Sequence, residues 1–182
     1  MKILTGYLKG RLIRLLPKEN LRPTSDLVRK AVFDALQGAF QGKRVLDLFS
    51  GTGALGFEAL SSGAREAVWV DSDDAQVEMI EKTISDLGLE DSGRVICLDV
   101  FKTIDNLARD GRGFDFIFLD PPYHQGLGQR AVKLISQSAL VHAGSILVLE
   151  THKTEDPPET VGRLRSVKTK KHGDTKITFY LT

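Results

Sequence analysis

A chain of 182 residues, 41% of them hydrophobic, has enough apolar material for one domain, or for one domain with a small appendage. The formal net charge of +1 excludes no class of partner, whereas the single cysteine, Cys97, excludes an intrachain disulfide and a thiolate metal cluster. The distribution of charge says more: both ends are basic and the middle is acidic, a pattern suited to gripping a polyanion at the edges.

In chain order, residues 1–16 hold two short β-like runs about Lys9-Gly10, which predict a small hairpin. Lys9, Arg11 and Arg14 on it are candidate contacts to nucleic-acid phosphate, and they break up any long apolar run. Neither a signal peptide nor a membrane span is expected, so the chain reads as cytoplasmic. Next, Arg22-Pro23-Thr24-Ser25-Asp26 predicts a helix start, with Thr24 or Ser25 as cap and the helix reaching Phe40. The basic arm is placed at residues 1–24 and the main domain at 25–182.

After residue 40, short apolar runs alternate with helical patterns. The runs at 43–49, 66–71, 94–99, 114–119 and 145–150 read as buried parallel strands. Between them, Val77, Ile80, Ile84 and Leu87 fall at helical spacing with Gly88 as a stop, and another helix is predicted from Leu127 to Leu140. The runs 164–170 and 175–181 around His172-Gly173-Asp174 predict an antiparallel hairpin. This alternation implies an α/β fold with a doubly wound, mostly parallel sheet. Cys97 sits in an apolar run and is expected to be buried and inert. His124, His142, His152 and His172 are scattered without metal-ligand spacing, so no metal site is expected.

Two stretches carry chemistry. In Asp47-Leu-Phe-Ser-Gly-Thr-Gly-Ala-Leu-Gly56, the glycines Gly51, Gly53 and Gly56 match the G-x-G-x-x-G pattern between a strand and a helix. Asp71 ends the next strand, where an acid reaches ribose hydroxyls. A dinucleotide is disfavoured because Asp47, at the end of the first strand, would repel its pyrophosphate. S-adenosylmethionine has no phosphate and carries an ammonium and a sulfonium, which Asp47 would favour. Asp99 is placed against the adenine amine or, as readily, as a helix cap. Val100 or Phe101 lies against the ring, and Phe49 is counted with the cofactor residues.

The second stretch, Asp120-Pro121-Pro122-Tyr123, ends an aromatic strand on the same sheet edge. An exocyclic amine of a nucleobase is a poor nucleophile because its lone pair is delocalised into the ring. The Asp120 carboxylate and the Pro121 carbonyl would accept its two hydrogens and turn the lone pair toward a methyl group. Pro121 and Pro122 stiffen the segment without a competing N–H, and Tyr123 offers a stacking face for an extruded base. A plain strand-ending turn is the alternative for these four residues taken alone. A cysteine-dependent base methylation is disfavoured by the setting of Cys97.

With these motifs in place, the chain resembles the bacterial small-subunit ribosomal RNA guanine-N2 methyltransferases, which modify one guanine of 16S rRNA. The likeness rests on the Leu8-Lys9-Gly10-Arg11 hairpin, Arg22-Pro23-Thr24 with Asp26 and Arg29, and Leu46 to Phe49 with Gly51-Thr-Gly-Ala-Leu-Gly-Phe-Glu-Ala-Leu60. It continues through Asp120-Pro121-Pro122-Tyr123 to the tail His172-Gly173-Asp174-Thr175. Ser50 stands where alanine is usual in that family, and Asp71 where glutamate is common. The resemblance implies a seven-stranded class I methyltransferase fold and a ribosomal substrate. Arg22 and Thr24 would then touch RNA, although Thr24 also suits a helix cap. A monomer acting on 16S rRNA or the small subunit is expected. The alternatives are an adenine-N6 methyltransferase of DNA or RNA, a nicotinamide-dependent oxidoreductase, and a non-catalytic rRNA-binding assembly factor.

Overall fold

The computed structural model describes residues 1–17 and 26–182. Arg22, Thr24, the expected helix cap and the boundary between arm and domain lie outside the described residues. The strands are β1 (Arg44–Leu48), β2 (Glu66–Asp71), β3 (Gly93–Cys97), β4 (Phe116–Leu119), β5 (Ile146–His152), β6 (Thr160–Val161), β7 (Leu164–His172) and β8 (Thr175–Leu181). The helices are α1 (Asp26–Ala35), α2 (Ala54–Ser61), α3 (Asp74–Leu87), α4 (Val100–Arg109) and α5 (Leu127–Ser136).

One sheet runs in the order β3-β2-β1-β4-β5-β8-β7-β6. The first five strands are parallel, and β8, β7 and β6 follow antiparallel. The count is eight rather than the seven implied by the family resemblance, because the two residues of β6 pair with the outer side of β7. Alternate residues of β1 and β4 feed two cores. Val45, Phe116 and Phe118 pack under α1, α2 and α3, whereas Leu46, Leu48, Ile117 and Leu119 pack under α4 and α5. The expected helix ends were overlong: α1 stops at Ala35 and α5 at Ser136, and turns carry the chain onward from each. Gly88 does close α3 in the left-handed conformation, its N–H donating to the last turn. The expected burial of Cys97 also fails. Strand β3 lies at the sheet edge, where an apolar run is covered on one side only, and the thiol is exposed.

The N-terminal hairpin forms with a Lys2–Leu12 bridge. Ile3, Leu8 and Ile13 are buried in the core shared with α1 and α2. Its anchor is Glu58 of α2, whose carboxylate accepts from Leu4 N (2.7 Å), Thr5 N (3.0 Å), Thr5 Oγ1 (2.6 Å) and Arg29 Nη1 (3.2 Å). Arg29, on α1, also donates to the Lys2 carbonyl and to Asp26. Both members of the Arg29–Glu58 pair are fully buried. Removing one member leaves an uncompensated charge in the core, so Glu58→Ala should cost about 3–5 kcal/mol of stability. Urea unfolding of the two proteins checks this, and an unchanged midpoint would show that water enters to solvate Arg29.

Candidate active site

In a parallel sheet the loops after the strands gather at one edge. Here that edge collects Phe49 and Gly51 after β1, Asp71 at the end of β2, Asp99 after β3, and the Asp120-Pro121-Pro122-Tyr123 segment after β4. They line a cleft of about 900 Å³, within the range of small-molecule sites.

The glycine loop is braced from two sides. The Asp71 carboxylate accepts from Gly51 N (2.7 Å) and, through its other oxygen, from Asp73 N (3.0 Å). Ser50 Oγ donates to the Asp47 carbonyl (2.6 Å) and accepts from Val70 N (2.8 Å), tying the ends of β1 and β2 together. That is a structural use for the serine that departs from the family's usual alanine. The three glycines divide their work. Gly51 (φ 51°) turns its α-carbon to open space, leaving room for a ligand against the backbone. Gly56 instead lets α2 approach β2, since a Cβ there would lie 2.2 Å from Trp69 Nε1. Gly53 caps α2, and its carbonyl accepts from the same indole at 2.9 Å.

Asp47 sits behind the loop, 2% exposed, and accepts from Gly56 N at 2.9 Å. It does not line the cleft, so any pull on a cationic ligand acts across the loop. Burial pushes its carboxyl well above the usual range; the Gly56 N–H opposes this, and the nearby Asp120 and Asp71 charges add to it. Asp99 serves as the cap of α4, accepting from Phe101 N and Lys102 N through one oxygen, and it also lines the cleft. Both readings of that residue are thus compatible with its position. Val100 and Phe101 line the cleft too, and Phe49 meets Phe101 edge to face with 6.3 Å between centroids. Phe49 is held at φ 59°, a left-handed conformation rare for a residue with a side chain.

The described residues lining the cleft include Asp71, Asp99, Asp120, Glu150 and Asp174, and no lysine or arginine. Asp174 is paired with Lys153, and the remaining acidic wall suits a cationic ligand better than a pyrophosphate. Together with the open side of Gly51 and the rings of Phe49 and Phe101, it fits S-adenosylmethionine.

The clamp segment is more tightly organised than its sequence suggests. The Tyr123 hydroxyl donates to Glu150 Oε1 (2.7 Å) and lies 3.0 Å from Thr175 Oγ1. Its ring is therefore half-buried and fixed rather than simply exposed. Burial holds the phenol far above its usual pKa; Thr175 opposes this, and the charges of Glu150 and Asp120 add to it, so the hydroxyl keeps its proton. Sequence reading missed Glu150, yet Thr175 was in view as part of the Gly-Asp-Thr tail. A carboxylate closing the apolar strand β5 was the available signal.

The scattered histidines also converge. His124 and His152 lie with ring centroids 4.7 Å apart, beside Tyr123, and His172 lines the cleft. The expected phosphate contacts of the arm divide. Lys9 is exposed, but Arg14 pairs with Asp86 and Arg11 donates to the Asp86 carbonyl, in the last turn of α3. Helix α3 begins at the cleft edge, so that turn lies at the opposite edge of the sheet. Cys97 donates to Asp74, which raises its pKa to about 11, with burial adding, and this disfavours a thiolate at neutral pH. Among the described residues no cluster could hold a metal ion, and no helix is long and apolar enough to cross a membrane.

The fold and the cleft together define an S-adenosylmethionine-dependent methyltransferase of class I. More particularly, the chain belongs to the family described as conserved hypothetical protein 95, which matches residues 1–181. Among its relatives is the Bacillus subtilis protein YlbH, provisionally named an rRNA methyltransferase, 32% identical over 99% of this chain and 98% of that one. The ribosomal RNA small subunit methyltransferase D of Haemophilus influenzae is 32% identical over 84% of this chain and 79% of its own. A solved structure of a hypothetical protein from Thermus thermophilus is 30% identical with a TM-score of 0.84, covering 98% of both chains.

Two outcomes follow from this geometry. Replacing the Asp47 carboxyl by an amide should stabilise the free protein and weaken cofactor binding. A carboxyl whose folded pKa is raised loses stability as pH climbs from its unfolded value through its folded one, and Asp47→Asn removes that loss. The variant should therefore melt higher than the parent near neutral pH, with the gap closing in acid, while calorimetry shows weaker binding of S-adenosylmethionine. In the second, Tyr123→Phe should lower methyl transfer roughly tenfold, since a hydrogen bond to a buried charged group is worth about 1.5–3 kcal/mol. The ring face alone predicts a mild effect, so wild-type turnover in this variant would make the Glu150 contact irrelevant to catalysis.

Proposed function

We propose that the protein transfers a methyl group from S-adenosylmethionine to the exocyclic N2 amine of a guanine in 16S rRNA of the small ribosomal subunit. The carrying observation is the Asp120-to-Tyr123 segment facing an acid-walled cleft with Gly51 and Asp71 on the same sheet edge. The ribosomal substrate is supported by family membership, and N2 of guanine by the likeness of the arm, clamp and tail to the guanine-N2 enzymes.

In this reading Asp71 accepts from the ribose hydroxyls, Asp99 from the adenine amine, and Phe49, Val100 and Phe101 enclose the adenine. Asp47, Gly51 and Gly53 shape the loop that meets the methionine end. S-adenosylmethionine supplies an electrophilic methyl carbon on a cationic sulfur. Asp120 and the Pro121 carbonyl accept the two amine hydrogens, which withdraws the nitrogen lone pair from the ring and aims it at that carbon. As the new N–C bond forms and the C–S bond breaks, the nitrogen sheds one proton to Asp120 or to water. Tyr123, locked by Glu150 and Thr175, holds the extruded base in plane. Pro122 keeps the turn rigid between them. Lys9 and the exposed Lys168 and Lys171 of β7 are left to meet phosphate, as are Arg22 and Thr24. Arg11 and Arg14 would have to release Asp86 first.

Incubating the protein with labelled cofactor and unmodified small subunits, then mapping the labelled nucleoside, tests the assignment directly. In the same assay Asp120→Ala should lose on the order of a hundredfold or more in turnover while binding the cofactor nearly as before. Label appearing on adenine would replace the N2 assignment with N6.

A further inference from the structure

Only two described residues other than glycine have positive φ, Phe49 at 59° and His124 at 61°. Such conformations concentrate at functional sites, where the surrounding structure holds them in place. Phe49 borders the cofactor cleft. His124 directly follows the clamp, is exposed, and makes no imidazole hydrogen bond to any described residue; its ring meets other rings. The centroid distances are 4.7 Å to His152 and 6.4 Å to Tyr123, and His152 lies 5.8 Å from Tyr123.

His152 is itself fixed. The Thr154 backbone N–H can only donate, so Nδ1 accepts from it (3.3 Å) and from Thr154 Oγ1 (2.7 Å). The neutral ring then carries its proton on Nε2. Strand register explains the meeting: His152 at the end of β5 lies opposite Thr175, the residue that holds Tyr123. A strained backbone thus sets the exposed His124 ring against the half-buried His152 ring, tilted 56° to it, beside Tyr123.

Resting on the reading of the site given above, we propose that the His124 ring, braced by His152, forms a second stacking platform, beside Tyr123, for the RNA nucleotide that flanks the extruded guanine. Extruding a base unstacks its neighbours, and a ring surface next to the pocket compensates for that loss. Rings also suit this rim because they bind a base without drawing phosphate toward the acidic wall.

The test is steady-state methylation of small subunits by the full chain, with cofactor affinity measured separately by calorimetry. His124→Asn keeps a residue that tolerates positive φ and removes the imidazole. It should raise KM for the subunits about 5- to 100-fold, with kcat and cofactor affinity close to wild type. His124→Phe should restore most of the loss, since it keeps a ring face. His124→Gly, which relieves the backbone altogether, should match His124→Asn. His142→Ala, at the far edge of the sheet, serves as the control and should leave KM unchanged. Wild-type KM in both His124→Asn and His124→Gly, with wild-type protein active, overturns the platform alone. Failure of His124→Phe to restore KM overturns stacking as the role. Absence of methylation by wild type overturns the underlying reading, and the platform with it.

Discussion

Everything in the site depends on the parallel register of three strands. Leu48 lies opposite both Val70 and Leu119, so β1, β2 and β4 end level with one another. That level end brings Asp71, the last residue of β2, and Asp120, the first after β4, close enough to Asp47, one position inside β1, to repel it. A carboxylate cluster of this kind works against the folded state, and it does so in proportion to how well Asp47 is sealed from water. The same arrangement makes a bound cation stabilising well beyond its direct contacts. The preference for a sulfonium over a phosphate therefore follows from the sheet before any single hydrogen bond is considered.

A second, independent tie organises the opposite side of the fold. Glu58 and Arg29 are buried together under the hairpin, where four donors converge on one carboxylate. Burying such a pair gives little net stability, but it fixes where three elements meet. Leu27, two residues before Arg29, lines the cleft, so the pair sets the start of α1 against the site as well as anchoring the arm. The arm's arginines are engaged by Asp86 at the edge of the sheet away from the clamp. Its contribution to the site thus runs through α1 and Glu58 rather than through its charges.

Much of the scaffold was legible because period and punctuation agree. The apolar runs at β1, β2, β4 and β5, the helical spacing of α3 and its Gly88 stop all report local chemistry, and local chemistry decided them. The misreadings have a common cause in tertiary context. Cys97 looks buried by its neighbours, yet β3 has a partner on only one side. Gly53 and Gly56 complete the glycine pattern of the loop, and Trp69 also claims the space behind them. Asp47 reads as favouring a cationic ligand directly or through water, and its depth behind the loop leaves it off the cleft wall. The Tyr123–Glu150–Thr175 contact could not be read at all, because it joins residues 27 and 52 positions apart through the pairing of β5 with β8. The carboxylate itself was visible at the end of an apolar strand, where a charge needs a reason.

If the substrate is RNA, as proposed, an acidic cleft beside a polyanion poses an electrostatic problem that bears on the shape of the rim. Under the proposed function, the carboxylates lining the cleft would favour entry of a neutral base over its phosphate, although Asp174 among them is paired with Lys153. On that proposal, the rings of Tyr123 and His124 offer a base contacts that do not depend on charge. Cations do stand close by, Lys153 paired with Asp174 and Arg130 over the Phe101 ring, while the exposed lysines of β7 lie farther out on a strand that delivers His172 to the cleft. In the proposed function, the lysines of β7 would hold the strand of RNA and ring contact would admit one base from it. The acid wall that suits a cationic cofactor would then also favour a substrate presenting its base alone, one physical arrangement serving both recognition problems.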